Sequence, residues 1–189
     1  MIQRRQLIVQ HRSLDPTAWT ALVALGDAGR EGPSALARAD LWEFEWSGTA
    51  DLAGRLESWA RAANWFANPN RDRATWRGRG EDPTDLEAGA ARASGGSGAD
   101  GPGAFLVTVW RGAARSLEHE TAASAALGTP IVVRRAQVWW LYAERGDPAA
   151  MLASAGGGPS GGLLANPHAQ DARLYGERLP VPAVWEQAS

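Results

Sequence analysis

The sequence contains no cysteine, which excludes disulfides, thiolate metal sites and cysteine nucleophiles. Lysine is absent as well: all 19 basic residues are arginine, from Arg4 to Arg178. A P-loop lysine, a Schiff-base lysine and a kinase-type lysine are therefore ruled out together. Net charge is also small. The formal net charge is -2, which gives no basic field, so neither a nucleic acid nor an anionic membrane is expected as a partner. No apolar run reaches the roughly 18–20 residues needed to cross a bilayer, and residues 1–9 read as a strand rather than a secretory segment. The expected location is the cytoplasm.

What is present suits a folded α+β chain. With 189 residues, 44% of them apolar, there is material for a real core, and two units of about 80 residues would be ordinary. The sharpest change of composition runs over residues 81–103, where Asp82-Pro83 leads into an Ala/Gly/Ser stretch that reads as a flexible linker. The predicted division is a first unit at 1–80, the linker at 81–103, a second unit at 104–178 and an extended, proline-bearing tail at 179–189. A second glycine-rich piece, 154–162, falls inside the second unit.

The two sides of the linker repeat each other. Arg38-Ala39-Asp40-Leu41-Trp42 aligns with Arg135-Ala136-Gln137-Val138-Trp139, and Ala67-Asn68-Pro69 aligns with Ala165-Asn166-Pro167. Upstream, Leu7 to Arg12 matches Leu106 to Arg111, and Leu25-Gly26 matches Leu127-Gly128. Four matches in one order at nearly constant spacing indicate an internal duplication.

Each half reads strand, helix, strand, helix, strand. Short apolar runs at 7–10 and 105–110 are first strands. A helix follows: Asp15-Pro16 supplies an N-cap and an N1 proline, and Gly26 stands where a terminating glycine is wanted; Ser116 and Gly128 bracket its counterpart. Alternation then places Trp42, Phe44 and Trp46 on one face of a middle strand, with Trp139, Leu141 and Ala143 as equivalents; that strand is long enough to bend into two. A second helix is expected over 51–66, stopped by Asn68-Pro69, and a shorter one from Pro148, broken by the glycines. Last strands are expected near 73–77 and 173–178. The predicted fold is two tandem ferredoxin-like units, antiparallel sheets with helices on one face, packed on each other as a pseudo-twofold pair.

The pattern resembles the small PurS-type subunit of phosphoribosylformylglycinamidine synthase, doubled as a fused dimer. The residues that carry the resemblance are Leu14, Asp15 and Pro16 opening the first helix, Ala21, Leu22 and Gly26 towards its end, Arg38 on the second strand, and Ala67, Asn68 and Pro69 after the second helix. In the second half they are Arg135 and then Leu163, Leu164, Ala165, Asn166 and Pro167. The family's Ile-Glu-Asp-Tyr after Asn-Pro is replaced by Asn70-Arg71-Asp72-Arg73 and by His168-Ala169-Gln170-Asp171, and the second unit lacks Asp-Pro. The resemblance implies a non-catalytic component without cofactor that bridges a glutaminase and a synthetase in purine biosynthesis. A diverged paralogue acting as an oligomeric scaffold is the alternative, followed by a small-ligand sensor or enzyme using a cleft between the repeats lined by Arg38, Arg135 and tryptophans.

The residue chemistry offers little to a catalyst. His11, His119 and His168 are isolated from one another, without metal-ligand spacing. The Gly156-Gly157-Gly158 run lacks the strand-to-helix context of a phosphate loop. Glu118, His119 and Glu120 crowd a helix start, where carboxylates favour the positive dipole end. No catalytic, cofactor or metal residue is assigned. The ten tryptophans stand out instead. Trp42, Trp46, Trp139 and Trp140 are expected in a core or a partner surface, and because Trp140 and Tyr142 face away from Trp139, the strand should be buried on both faces. Packing between repeats or homo-oligomerisation is the expected source of that burial.

Overall fold

The alternating strands of both halves join into one antiparallel sheet in the computed structural model, which describes residues 1–28, 33–48, 52–78, 91–92, 103–156 and 162–185. In chain order the elements are β1 (Ile2–His11), α1 (Pro16–Ala28), β2 (Ala35–Ser47), α2 (Ala53–Ala63), β3 (Asp72–Arg77), β4 (Ala91–Arg92), β5 (Gly103–Trp110), α3 (Leu117–Leu127), β6 (Ile131–Tyr142), α4 (Pro148–Gly156) and β7 (Gln170–Tyr175). The sheet order is β3-β1-β2-β6-β5-β7, with the short β4 added to β2. The result is a single α+β domain.

The two halves repeat the same register. In the first, Leu7 lies opposite Trp42 and Trp76; in the second, Leu106 lies opposite Trp139 and Leu174. Gln6 stands between Glu43 and Arg77 as Phe105 stands between Trp140 and Tyr175. Because side chains alternate along a strand, a shared register places aligned residues on the same face of the sheet.

Two expectations about the middle strands fail together. Neither strand bends into two: β2 is continuous over 13 residues and β6 over 12. Nor do two sheets stack, since β2 and β6 pair edge to edge from Ala35 opposite Tyr142 to Trp46 opposite Ile131. Each half brings three long strands, and the outer edge of its middle strand carries unpaired N–H and C=O groups. Pairing these two edges satisfies both rows at once.

Among the described residues, four helices cover one face. Beneath α2 and α3, Leu7, Val9, Trp42, Phe44, Trp46, Ile131 and Val133 meet Leu56, Ala60, Phe66, Ala123 and Leu127. Beneath α1 and α4, Leu36, Leu106, Trp139 and Leu141 meet Ala18, Ala21, Leu22, Leu152 and Leu164. Each helix layer thus draws one helix from each half. The opposite face carries Ile8, Leu41, Phe105, Val107 and Val138, covered by Leu179, Ala183 and Val184 of the carboxy-terminal tail. Burial of the strand's second face comes from this tail and not from stacking of repeats. Gly103 is required there, since a side chain would run into the Trp140 indole.

The helix ends refine the sequence reading. Asp15 caps α1 as expected, its carboxylate accepting the Thr17 N–H at 2.9 Å, but α1 runs through Gly26 to Ala28. Gly26 lies exposed inside the helix, with nothing for an added Cβ to meet, and costs the helix about 1 kcal/mol relative to alanine. α2 stops at Asn64, which takes the left-handed conformation at φ 52°, four residues before the expected Asn68-Pro69. α3 ends at Gly128 in the same conformation, as read. β7 begins at Gln170 and ends at Tyr175, shifted from the expected 173–178. Of the expected linker at 81–103, Ala91 and Arg92 form β4 against Ala35 and Leu36 and Gly103 opens β5, while 81–90 and 93–102 lie outside the described residues, together with 79–80 of the expected first unit. So do 157–161 of the second glycine-rich piece and 186–189 of the tail.

Candidate functional site: a polar cleft over the central strand pair

The Ala-Asn-Pro segments do not end helices; they turn the chain into β3 and β7. In the first half, Asn68 Oδ1 accepts the Asn70 N–H at 3.0 Å and its carbonyl accepts those of Arg71 and Asp72. In the second, Asn166 Oδ1 accepts the His168 N–H at 3.0 Å and its carbonyl those of Ala169 and Gln170. The Asn68 N–H is closed by Asp72 and that of Asn166 by Gln170. Pro69 and Pro167 follow at positions where no backbone donor is needed. Both Asn-Pro pairs lie exposed, one before each of the strands at the two ends of the sheet.

Arg38, Trp42, Arg135 and Trp139 are brought together. The β2–β6 register sets Arg38 opposite Trp139 and Arg135 opposite Trp42, with each guanidinium near the opposing ring, at 5.9 and 5.7 Å from its centroid. Such cation–π contacts are worth about 0.5–1 kcal/mol each at exposed sites. Asp40 faces Gln137 between them. By alternation these residues lie on the helix-bearing face, in the gap between the α1/α4 and α2/α3 layers. Trp140 lies on the tail-covered face, against Phe105 and Tyr142, and takes no part in the cleft.

The two arginines differ in company. Arg38 Nε donates to Asp15 Oδ2 at 2.8 Å, and Nη2 to Oδ1 at 3.3 Å, so the carboxylate that caps α1 also neutralises Arg38, with Pro16 starting the helix behind it. The matching helix begins at Ser116, which makes no side-chain cap bond; its hydroxyl shares a 2.7 Å hydrogen bond with His119 Nδ1 instead. Arg135 accordingly has no carboxylate bonded to it among the described residues.

Two cavities meet at Asp40. One, of about 180 Å³, is lined by Asp40, Trp42, Trp110, Arg135, Ala136 and Gln137. The other, of about 60 Å³, lies towards His11, Asp15, Arg38 and Asp72. Asp40 reaches solvent through the cleft mouth, yet the surrounding walls thin its hydration and push its carboxyl above the usual range, against the opposing pull of Arg38 and Arg135. For Asp72, burial pulls the same way but is outweighed by hydrogen bonds from Arg71 and the Asn68 N–H and by the charges of Arg71 and His11, so its carboxyl is held below the usual range. Desolvation lowers His119, which packs among Trp42, Trp65 and Phe66. Glu120 is nearly buried and takes up Arg115 and the Val133 N–H, tying α3 to β6. Among the described residues no cluster of three or more His, Asp or Glu side chains is arranged to hold a metal, and no helix is long and apolar enough to cross a membrane.

Sequence reasoning missed Asp40, Gln137 and Trp110. The signal was present: Asp40 and Gln137 are aligned polar residues, each between an arginine and a tryptophan on the same strand face. Glu43 was missed too. It reads as an outward residue in the Trp-Glu-Phe-Glu-Trp alternation, but is 4% exposed because the tail lies over it. No family model matches the sequence, and neither curated proteins nor solved structures give a match.

Proposed function

We propose that the chain is a non-catalytic bridging component: two PurS-like units fused in tandem, related by a pseudo-twofold axis between Asp40 and Gln137. In this reading it joins a glutaminase to a synthetase in a phosphoribosylformylglycinamidine synthase-type complex. The supporting observation is that the Asn-Pro segments, through which the sequence resembles that family, form the same hydrogen-bonded turn in both halves. Edge pairing of β2 with β6 would give one chain the two-unit surface that separate subunits otherwise assemble. Glu120, the candidate acid at the start of α3, is engaged by Arg115, which supports the same reading.

The test is co-expression of the tagged chain with the glutaminase and synthetase subunits of its own cell, in the presence of glutamine and ATP. All three should elute together at fixed stoichiometry. Elution of the tagged chain alone, while the other two are present and folded, would sink the reading.

A further inference from the structure

Among the described residues that line the two cavities, the charges pair off with two exceptions. Arg38 is held by Asp15, and Asp72 by Arg71 with His11 at 3.4 Å. Asp40 and Arg135 remain, one anion and one cation, with no ion pair to each other or to another described residue. They sit diagonally across the β2–β6 ladder, since Asp40 is opposite Gln137 and Arg135 is two residues along. Diagonal neighbours stand about 7–8 Å apart, beyond direct contact of a short carboxylate with a guanidinium laid over a ring. The cavity of about 180 Å³ opens between them, walled by Trp42, the half-exposed Trp110 and the Gln137 side chain.

A phosphate or other multiply charged anion would meet Arg135 alone and be repelled by Asp40. An organic cation would meet Asp40 and be repelled by Arg135. A ligand that carries both charges on one small framework satisfies both, and each charge-assisted hydrogen bond is worth more than its neutral equivalent. The Gln137 amide, which makes no hydrogen bond to a described residue, can donate to the carboxylate or accept from the ammonium. An apolar or aromatic side chain on the ligand would lie against the Trp110 indole, where stacking costs little and removes exposed aromatic surface from water. We infer that this cavity is a binding site for a free α-amino acid, its ammonium on Asp40, its carboxylate on Arg135 and its side chain against Trp110. The inference goes beyond the bridging role and does not depend on it.

Calorimetric titration of the isolated chain tests it, with L-leucine, L-phenylalanine and L-glutamine as probes and tryptophan fluorescence as a second readout. At least one probe should saturate a single site per chain. The single-charge analogues 3-phenylpropionate and phenethylamine, and the neutral N-acetyl-L-phenylalanine amide, should bind at least about tenfold more weakly. Asp40→Asn and Arg135→Met should each weaken the amino acid by at least about tenfold; circular dichroism identical to that of the parent chain establishes that both are folded. Three results would overturn the inference: no saturation by any of the three amino acids up to about 10 mM, 3-phenylpropionate binding as tightly as L-phenylalanine, or both variants binding like the parent. Because no partner protein is present, failure of the bridging complex leaves this measurement unaffected.

Discussion

At matching register positions on the face away from the helices, the first half carries Gln6, Glu43 and Arg77 and the second carries Phe105, Trp140 and Tyr175. The same tail crosses both. On the polar side, Glu43 accepts the backbone N–H groups of Ala183 and Val184 as well as Gln6 Nε2, while Arg77 donates to the Leu179 carbonyl and Gln6 to that of Pro180. On the aromatic side, Tyr175 donates its hydroxyl to the Ala183 carbonyl at 3.1 Å, and Arg173 lies 4.2 Å from the centre of the Trp185 ring. One backbone frame therefore supports two chemistries. A segment without strand or helix needs its own polar groups satisfied when it is buried, and the polar triad does that, while the aromatic triad supplies apolar area.

The largest expected effect tests whether the halves are energetically one body. Phe44 is fully buried against Phe66 and Trp76, and Leu141 is its fully buried counterpart under α1 and α4. Phe44→Ala should cost about 3–5 kcal/mol and Leu141→Ala about 2–5 kcal/mol. Because β2 and β6 share one ladder, each should lower a single cooperative transition in a denaturant titration. Two separate transitions, with only one moved by each substitution, would break the unity of the sheet.

Next comes the polar clasp itself. Glu43→Ala leaves two tail donors unsatisfied and should cost about 2–3 kcal/mol. Burial pushes the Glu43 carboxyl above its ordinary 4.5, against the hydrogen bonds from Ala183, Gln6 and Val184. The folded chain then holds a proton at this site that the unfolded chain has released, so the site's contribution to stability falls as pH rises from about 4.5 through the raised folded value. The stability of the parent chain relative to Glu43→Gln should fall across that window. A difference that rises with pH would show Glu43 to be better stabilised as an anion in the fold than in water.

The smallest effect separates the two first helices. Asp15→Ala removes the cap of α1 and the partner of Arg38 and should cost about 1–2 kcal/mol. Ser116→Ala, at the matching helix start without a cap bond, should cost less than about 0.5 kcal/mol. Equal losses, measured by chemical denaturation, would remove the asymmetry on which the unpaired state of Arg135 rests.

Much of the fold was legible locally. Asp15-Pro16, Ser116, Gly128 and the Trp42/Phe44/Trp46 alternation gave element types and near boundaries, because caps and period-2 patterns act over a few residues. Where the reading slipped, a nearby residue offered the same chemistry: Asn64 took the left-handed position expected of Asn68. Half of the candidate site was legible too, since alignment of the repeats placed Arg38 and Arg135, Trp42 and Trp139 in matching positions. Asp40 and Gln137 were hidden because a polar residue on a strand reads as solvent-facing until the opposing strand and the flanking helices are in place.

The sequence by itself determined the two strand–helix–strand–helix–strand halves, their alignment and the face on which each strand residue lies, since all of these follow from local spacing and repetition. Only the tertiary structure decided that the middle strands pair along their edges, that the tail and not a second sheet covers the other face, and that Asp40 and Arg135 stand apart across one cavity. The physical reason is that alternation fixes which side chains share a face but carries no information on what packs over it. That is set by the unpaired hydrogen-bonding edges and apolar area left over when each half has folded.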